Sequence, residues 1–145
     1  MRSLDRQEDL YRLNPDKLVM PASNMKAVTL AAMAEQLGWD YRYETQLLTG
    51  APIEDGTLRG DLIVRSSGDP SFNRLHTDPV EVFRGWSNKL KQLGIRTIEG
   101  RLIGDDNAFD EATLGAGWAW DYLGYGYAAP VGSLQLYQNI VSLGI

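Results

Sequence analysis

The segment from Ser23 to Leu37 constrains the chain most. It is built from Ala, Met, Leu, Lys and Gln with few interruptions, and these residues lose least on entering a helix. Pro21 and Ala22 lead into it, and Gly38 follows where a helix ends in a left-handed residue. One helix is predicted from Ser23 to Leu37. Positions three and four apart share a helix face, so Ser23, Lys26, Leu30, Met33 and Leu37 form one stripe. That stripe is expected to run into a core.

The remainder divides into short elements. Residues 4–13, with Leu10, Tyr11 and Leu13, read as a strand that stops at the turn Asn14-Pro15-Asp16. Tyr41 to Leu48 and Leu58 to Ser66 are β-favouring runs on either side of a Pro52–Gly56 turn, which predicts a hairpin. Asp78-Pro79 opens a second helix, whose apolar Phe83, Trp86, Leu90 and Leu93 repeat at helical spacing before Gly94. Ile95 to Ile103 reads as a strand broken at Gly104-Asp105-Asp106-Asn107. Gly115 to Pro130 is rich in Gly and aromatics and is expected to be irregular but ordered by aromatic packing. Leu134 to Leu143 is expected to be a last strand. Hairpins with segregated helices point to an α+β fold and not to a doubly wound parallel sheet.

At 145 residues, with 43% hydrophobic and 23% charged side chains, the chain can bury a core and is not disordered by composition. The net charge of −5 and the absence of a basic stripe argue against nucleic acid as a partner. No cysteine is present, which excludes a disulfide framework and Cys-based zinc sites. No apolar run reaches the length of a membrane span. The first nine residues carry nothing like a signal peptide, so the chain read literally is cytoplasmic; read as a piece of something longer, it gives no address.

Ser23 and Lys26 carry the chemistry to be weighed. A serine hydroxyl is a weak nucleophile until a base takes its proton. A lysine serves as that base only as the free amine, a form that desolvation or neighbouring positive charge promotes. Both residues sit at the start of one helix, where the helix dipole favours negative charge building on Ser23. On the pair alone, an N-cap serine and a solvated lysine are the favoured explanation of the spacing.

The surroundings carry further information. The run Asn14-Pro-Asp-Lys-Leu-Val-Met-Pro-Ala-Ser23-Asn-Met-Lys26-Ala-Val-Thr29 is similar to the first active-site motif of penicillin-binding proteins. Leu37-Gly-Trp-Asp-Tyr-Arg-Tyr-Glu-Thr45, Asp55-Gly-Thr-Leu-Arg-Gly-Asp-Leu62, Ser67-Gly-Asp-Pro70, Ile98-Glu-Gly100, Asp105-Asp106, Phe109-Asp110, Gly117-Trp-Ala-Trp-Asp121 and Ala129-Pro-Val131 follow in order. Together they resemble the D-alanyl-D-alanine carboxypeptidase/endopeptidases of the penicillin-binding protein 4 (peptidase S13) family over roughly Leu4 to Asn139, with both ends of the family pattern missing.

The resemblance implies a partial transpeptidase-like fold. Residues 1–40 would be a fragment of the catalytic domain, with one strand and the Ser-Xaa-Xaa-Lys helix. Residues 41–145 would be the first part of an inserted α+β domain. It implies Ser23 as nucleophile and Lys26 as base, a peptidoglycan stem peptide as substrate, β-lactam antibiotics as covalent inhibitors, no cofactor and an extracytoplasmic address. Such enzymes also use a Ser-Xaa-Asn and a Lys-Thr-Gly motif, and the expectation is a chain without either. No lysine follows Lys91. The isolated chain is therefore expected to be nearly inactive, since members of a nucleophilic unit act together. A non-catalytic binding module and an esterase of the same superfamily are the alternatives.

Other candidates are weaker. His76 is the single histidine, which makes a transition-metal site or a Ser-His-Asp triad improbable. Asp105, Asp106, Asn107 and Asp110 resemble part of a calcium loop but lack its glycine and terminal glutamate, so a solvated turn is favoured. Trp118 and Trp120 fit an aromatic core better than a groove. Asp121 stands where the family places acidic residues near the stem peptide's diamino acid, but Tyr122 follows it where a second acid is usual.

Overall fold

Residue chemistry at the ends of the helices explains where they start and stop. The computed structural model describes residues 1–73 and 78–144. Helix α1 runs from Met25 to Leu37 and grows out of a 3-10 turn at Ala22–Asn24. It stops at Gly38, whose φ of 82° is a conformation that side chains with a Cβ resist. Helix α2 spans Pro79–Gln92. Asp78 caps it, its side chain accepting from the Val80 N–H at 3.0 Å, and Pro79 occupies the first turn, where no N–H is needed. Glu81 in the first turn and Lys89 and Lys91 in the last complement the helix dipole.

The structure divides into two compact units, Met1–Tyr41 and Arg42–Ile145. The first unit holds α1 and no buried residue. Its residues 4–13 do not form the expected strand; a turn joined by a single Arg2–Asp9 bridge stands there instead. A strand needs a neighbour for its ladder, and this unit contains none. Gln7 turns the backbone with a φ of 56°, and the Met1 ammonium donates to the Tyr11 carbonyl at 2.6 Å.

The second unit contains two small sheets. Strands β1 (Thr45–Leu48), β4 (Leu62–Ser66) and β6 (Leu102–Asp105) form one, in the order β1-β4-β6. β1 runs antiparallel to β4, with Thr45 opposite Ser66, as the expected hairpin requires. β6 runs parallel to β4, with Leu62 opposite Leu102. Strands β2 (Ile53–Glu54), β3 (Thr57–Leu58) and β5 (Thr97–Ile98) form the other. Asp55 and Gly56, both with positive φ, turn β2 into β3, the geometry that matches the twist of a two-residue hairpin. Mixed helices and strands make the fold α+β.

Three expected strands fail in this unit, and the first, Leu58 to Ser66, is divided between β3 in one sheet and β4 in the other. Ile95 to Ile103 is not one strand. It is divided between the two sheets, because at Gly100 the chain passes against the backbone of Gly60 and Asp61, where a Cβ has no room. Asp61 clamps the same crossing: it accepts from the Arg101 N–H at 2.8 Å and from Arg101 Nη2 at 2.6 Å. β6 then continues through Gly104 to Asp105, beyond the expected break. Leu134 to Leu143 also forms no strand. Tyr137, Gln138 and Asn139 all have positive φ, which ends any extended run in a 3-10 turn.

The core is small. Leu58, Leu62 and Ile95 are buried against one another, with Leu47, Ala51 and Leu90 packed on them. Leu58 has no solvent-accessible surface and ties β3 to this cluster.

Candidate active site

Ser23 lies in the 3-10 turn that precedes α1, and Lys26 lies in the first turn of α1 itself. The helical advance brings the two side chains together, with Lys26 Nζ donating to Ser23 Oγ at 3.3 Å. No side-chain cap bond is made at either the turn or the helix, so the Ser23 oxygen does not serve as an N-cap. A hydroxyl and an amine in this contact can exchange a proton, and such bonds are commonly loose before a substrate binds.

The backbone that presents Ser23 is unusual. Ala22 has a φ of 45°, in the left-handed region that alanine resists. It is fixed on one side by Pro21 and on the other by Ser23, and the Asn24 N–H donates to the Pro21 carbonyl at 3.0 Å. Strain of this kind costs on the order of 1–3 kcal/mol and is concentrated at functional turns. No residue pattern in the sequence signals it, since alanine normally marks helix and not strain.

The stripe below the pair does not run into a core. Leu30 is 63% exposed and Leu37 is 50% exposed. No residue of α1 is buried, although the helix is apolar on most sides, a composition suited to burial.

A tripeptide of the Ser-Xaa-Asn form is present, against the expectation of none: Ser71-Phe72-Asn73. It lies in the second unit and serves a turn there. Asn73 is buried and its Nδ2 donates to the Pro70 carbonyl at 2.8 Å, while the Ser71 N–H donates to Asp69 Oδ1 at 2.9 Å.

The remaining candidates take structural places. Asp105 Oδ1 accepts from the N–H and the Nδ2 of Asn107, closing a turn. Among the described residues no group of three or more His, Cys, Asp or Glu is arranged to hold a metal ion. His76 lies outside the described residues. The tryptophans do not form the expected aromatic core. Trp120 is 83% exposed, and Trp118, 43% exposed, lies over Gly115 and donates from Nε1 to the Ala128 carbonyl at 3.2 Å. Short 3-10 turns at Trp120–Tyr122 and Gly126–Ala128 keep the segment on the surface, where Tyr125 and Tyr127 stack with centroids 5.3 Å apart. Asp121 sits in the first of these turns. Among the described residues no helix is long and apolar enough to cross a membrane.

Comparison with known proteins places this geometry in context. The chain is 29% identical over 140 residues to the D-alanyl-D-alanine carboxypeptidase DacB of Haemophilus influenzae, covering 95% of this chain and 28% of that protein. It is 32% identical over 130 residues to a D-alanyl-D-alanine carboxypeptidase of an Actinomadura species, covering 89% of this chain and 23% of that protein. The crystal structure of penicillin binding protein 4 from H. influenzae superposes with a TM-score of 0.79 at 29% identity, over 95% of this chain and 29% of that one. A structure of the same H. influenzae protein complexed with a β-lactam superposes with a TM-score of 0.60 at 31% identity, over 72% of this chain and 23% of that one. The chain thus spans less than a third of the length of these relatives. The family model for D-Ala-D-Ala carboxypeptidase 3 (S13) matches residues 1–145, and the chain belongs to that family.

Proposed function

We propose that this polypeptide supplies the nucleophile-bearing part of a serine-type D-Ala-D-Ala carboxypeptidase that acts on peptidoglycan stem peptides outside the cytoplasm. The observation that carries the reading is the 3.3 Å contact between Ser23 Oγ and Lys26 Nζ, made by a serine that caps no helix. Ser23 Oγ attacks the carbonyl carbon of the penultimate D-alanine, and its proton passes to the free amine of Lys26. The tetrahedral intermediate collapses, the C–N bond breaks, and D-alanine leaves with a proton on its amine. Water then attacks the ester carbonyl and restores Ser23. A β-lactam acylates the same hydroxyl by ring opening. Cleavage of peptide cross-links is the same chemistry on a longer leaving group.

Residues 1–40 are read as a piece of the catalytic domain and residues 41–145 as the first part of the inserted domain. The mostly apolar surface of α1 supports this division, because a helix of that composition belongs inside a larger packed domain. The chain has no Lys-Thr-Gly, and the groups that stabilise the oxyanion are often a large part of acyl-transfer catalysis. The 145-residue chain alone is accordingly a poor catalyst, which also favours a non-catalytic module over an esterase as the competing reading.

The test is D-alanine release from a stem-peptide mimic ending in D-Ala-D-Ala. A polypeptide extended to the length of the relatives is expected to turn over and its Lys26→Ala variant to lose turnover by about 10²–10⁴-fold, the usual contribution of a general base. The isolated chain is expected to release almost none. An extended polypeptide that binds the mimic without releasing D-alanine would establish the binding-module reading instead.

A further inference from the structure

Gln7, Asn14 and Ala22 are the non-glycine residues of the first unit with positive φ. Asparagine tolerates that region, and the Gln7 side chain offsets it by donating from Nε2 to the Leu4 carbonyl at 2.8 Å. The Ala22 methyl can do neither. Its turn is nonetheless closed: the Asn24 N–H donates to the Pro21 carbonyl at 3.0 Å, and the Met25 N–H donates to the Ala22 carbonyl. Positive φ at Ala22 and not at Ser23 is the pattern of a type II′ turn, whose first central position is normally glycine.

A second hydroxyl, inside α1, shows what this turn prevents. Thr29 Oγ1 donates to the Met25 carbonyl, four residues back, at 3.1 Å. Hydroxyls within a helix commonly bond to the carbonyl three or four residues before them. For Ser23 those carbonyls belong to Met20 and Val19. Ser23 Oγ bonds to neither; its partner is Lys26 Nζ at 3.3 Å. Pro21 already has helical angles, with φ −71° and ψ −23°. A helical residue at position 22 would therefore join Pro21 to α1 and bring the preceding turn of backbone under the Ser23 side chain. The choice is made within residues 19–23 and owes nothing to what packs on the helix.

We propose that Ala22 is a positioning residue for the nucleophile. Its left-handed turn removes the main-chain acceptors that would hold the Ser23 hydroxyl and leaves that hydroxyl to Lys26. A carbonyl oxygen in that place could accept the hydrogen bond but could not take the proton that nucleophilic attack must shed, whereas a free amine can. The inference rests on the reading of Ser23 as nucleophile and Lys26 as base, and in it Ala22 acts through Ser23 and not on the substrate.

The test is acylation of the polypeptide, extended to the length of its relatives, by a labelled penicillin over a range of concentrations. This separates binding before the reaction from the acylation step itself. Valine resists positive φ more than alanine does, leucine favours the helical alternative, and glycine takes positive φ freely. Ala22→Val and Ala22→Leu are each expected to slow the acylation step about tenfold or more, with binding before it changed less than about twofold. Ala22→Gly is expected to stay within about threefold of the native rate. In a Lys26→Ala background Ala22→Val is expected to cost less than about twofold, because the contact it disrupts is already gone. Circular dichroism checks that each variant folds. Valine and leucine variants acylated at the native rate would overturn the proposal. So would a glycine variant as slow as the valine one, which would make the methyl and not the turn the active feature. So would equal losses with and without Lys26, which would place the effect outside the Ser23–Lys26 contact. A native polypeptide never acylated at Ser23 would instead overturn the underlying reading, and this inference with it.

Discussion

Replacing Leu58 with alanine removes three carbon atoms from the one leucine among the described residues with no exposed surface. Loss of transfer free energy at about 0.8 kcal/mol for each buried methylene gives roughly 2.4 kcal/mol. The surrounding Leu62, Ile95, Leu47 and Leu90 belong to four different elements or their connections, so they cannot all close on the space. A cavity contribution therefore adds to the transfer loss, and the total is expected at about 3 kcal/mol, within the range of 2–5 found for buried leucines. The comparison variant is Leu102→Ala, at a position 73% exposed, where the expected change is within about 0.5 kcal/mol. Urea unfolding followed by tryptophan fluorescence reads both, with Trp86 on α2 reporting on this unit. Equal effects of the two substitutions, or a Leu58→Ala cost below about 1 kcal/mol, would refute the assignment of the core to the Leu58 cluster.

Two further perturbations probe the crossing of the sheets. The hydrogen bonds from Arg101 hold the Asp61 carboxyl below its ordinary value of 3.8. A carboxylate depressed on folding contributes stability that is present above its unfolded pKa and is lost as the pH falls through the folded one. Acid titration of stability is therefore expected to fall more steeply below about pH 3.8 in the native chain than in an Asp61→Asn variant, and parallel curves would contradict the clamp. Gly100→Ala forces a Cβ onto the backbone of Gly60 and Asp61, which cannot swing aside like a side chain, and is expected to cost about 1–3 kcal/mol in the same urea assay; a neutral result would show that the crossing is not tight.

The elements that sequence reading identified are those whose instructions are local. Asp78-Pro79 and Gly94 delimit α2 by capping chemistry, and Gly38 ends α1. The hairpin of β1 with β4 follows from two β-favouring runs around a turn. The failures are non-local. Residues 4–13 have the composition of a strand, but a strand exists only beside a partner. The division of Ile95–Ile103 between two sheets depends on the approach of Gly100 to Gly60, forty residues away in the chain. Three consecutive left-handed residues at Tyr137–Asn139 are equally invisible to propensity, since tyrosine there reads as strand.

The candidate site shows the same division. The Ser23–Lys26 contact was legible because helical spacing alone brings the two residues together. The left-handed Ala22 was not legible, and neither was the exposure of Leu30 and Leu37. The first depends on the turn's own geometry, and the second on what packs against α1 rather than on the helix itself. The aromatic segment misled for a related reason: tryptophan composition suggests burial, but short turns hold Trp120 in solvent.

The central claim is that Ser23 is a nucleophile activated by Lys26. Its most direct test is to treat the polypeptide, extended to the length of its relatives, with benzylpenicillin and to locate the adduct by peptide mass mapping. The expected result is one penicilloyl group on the peptide containing Ser23, absent from a Ser23→Ala variant and formed far more slowly in Lys26→Ala. An adduct on any other residue, or full labelling of the Ser23→Ala variant, would contradict the claim.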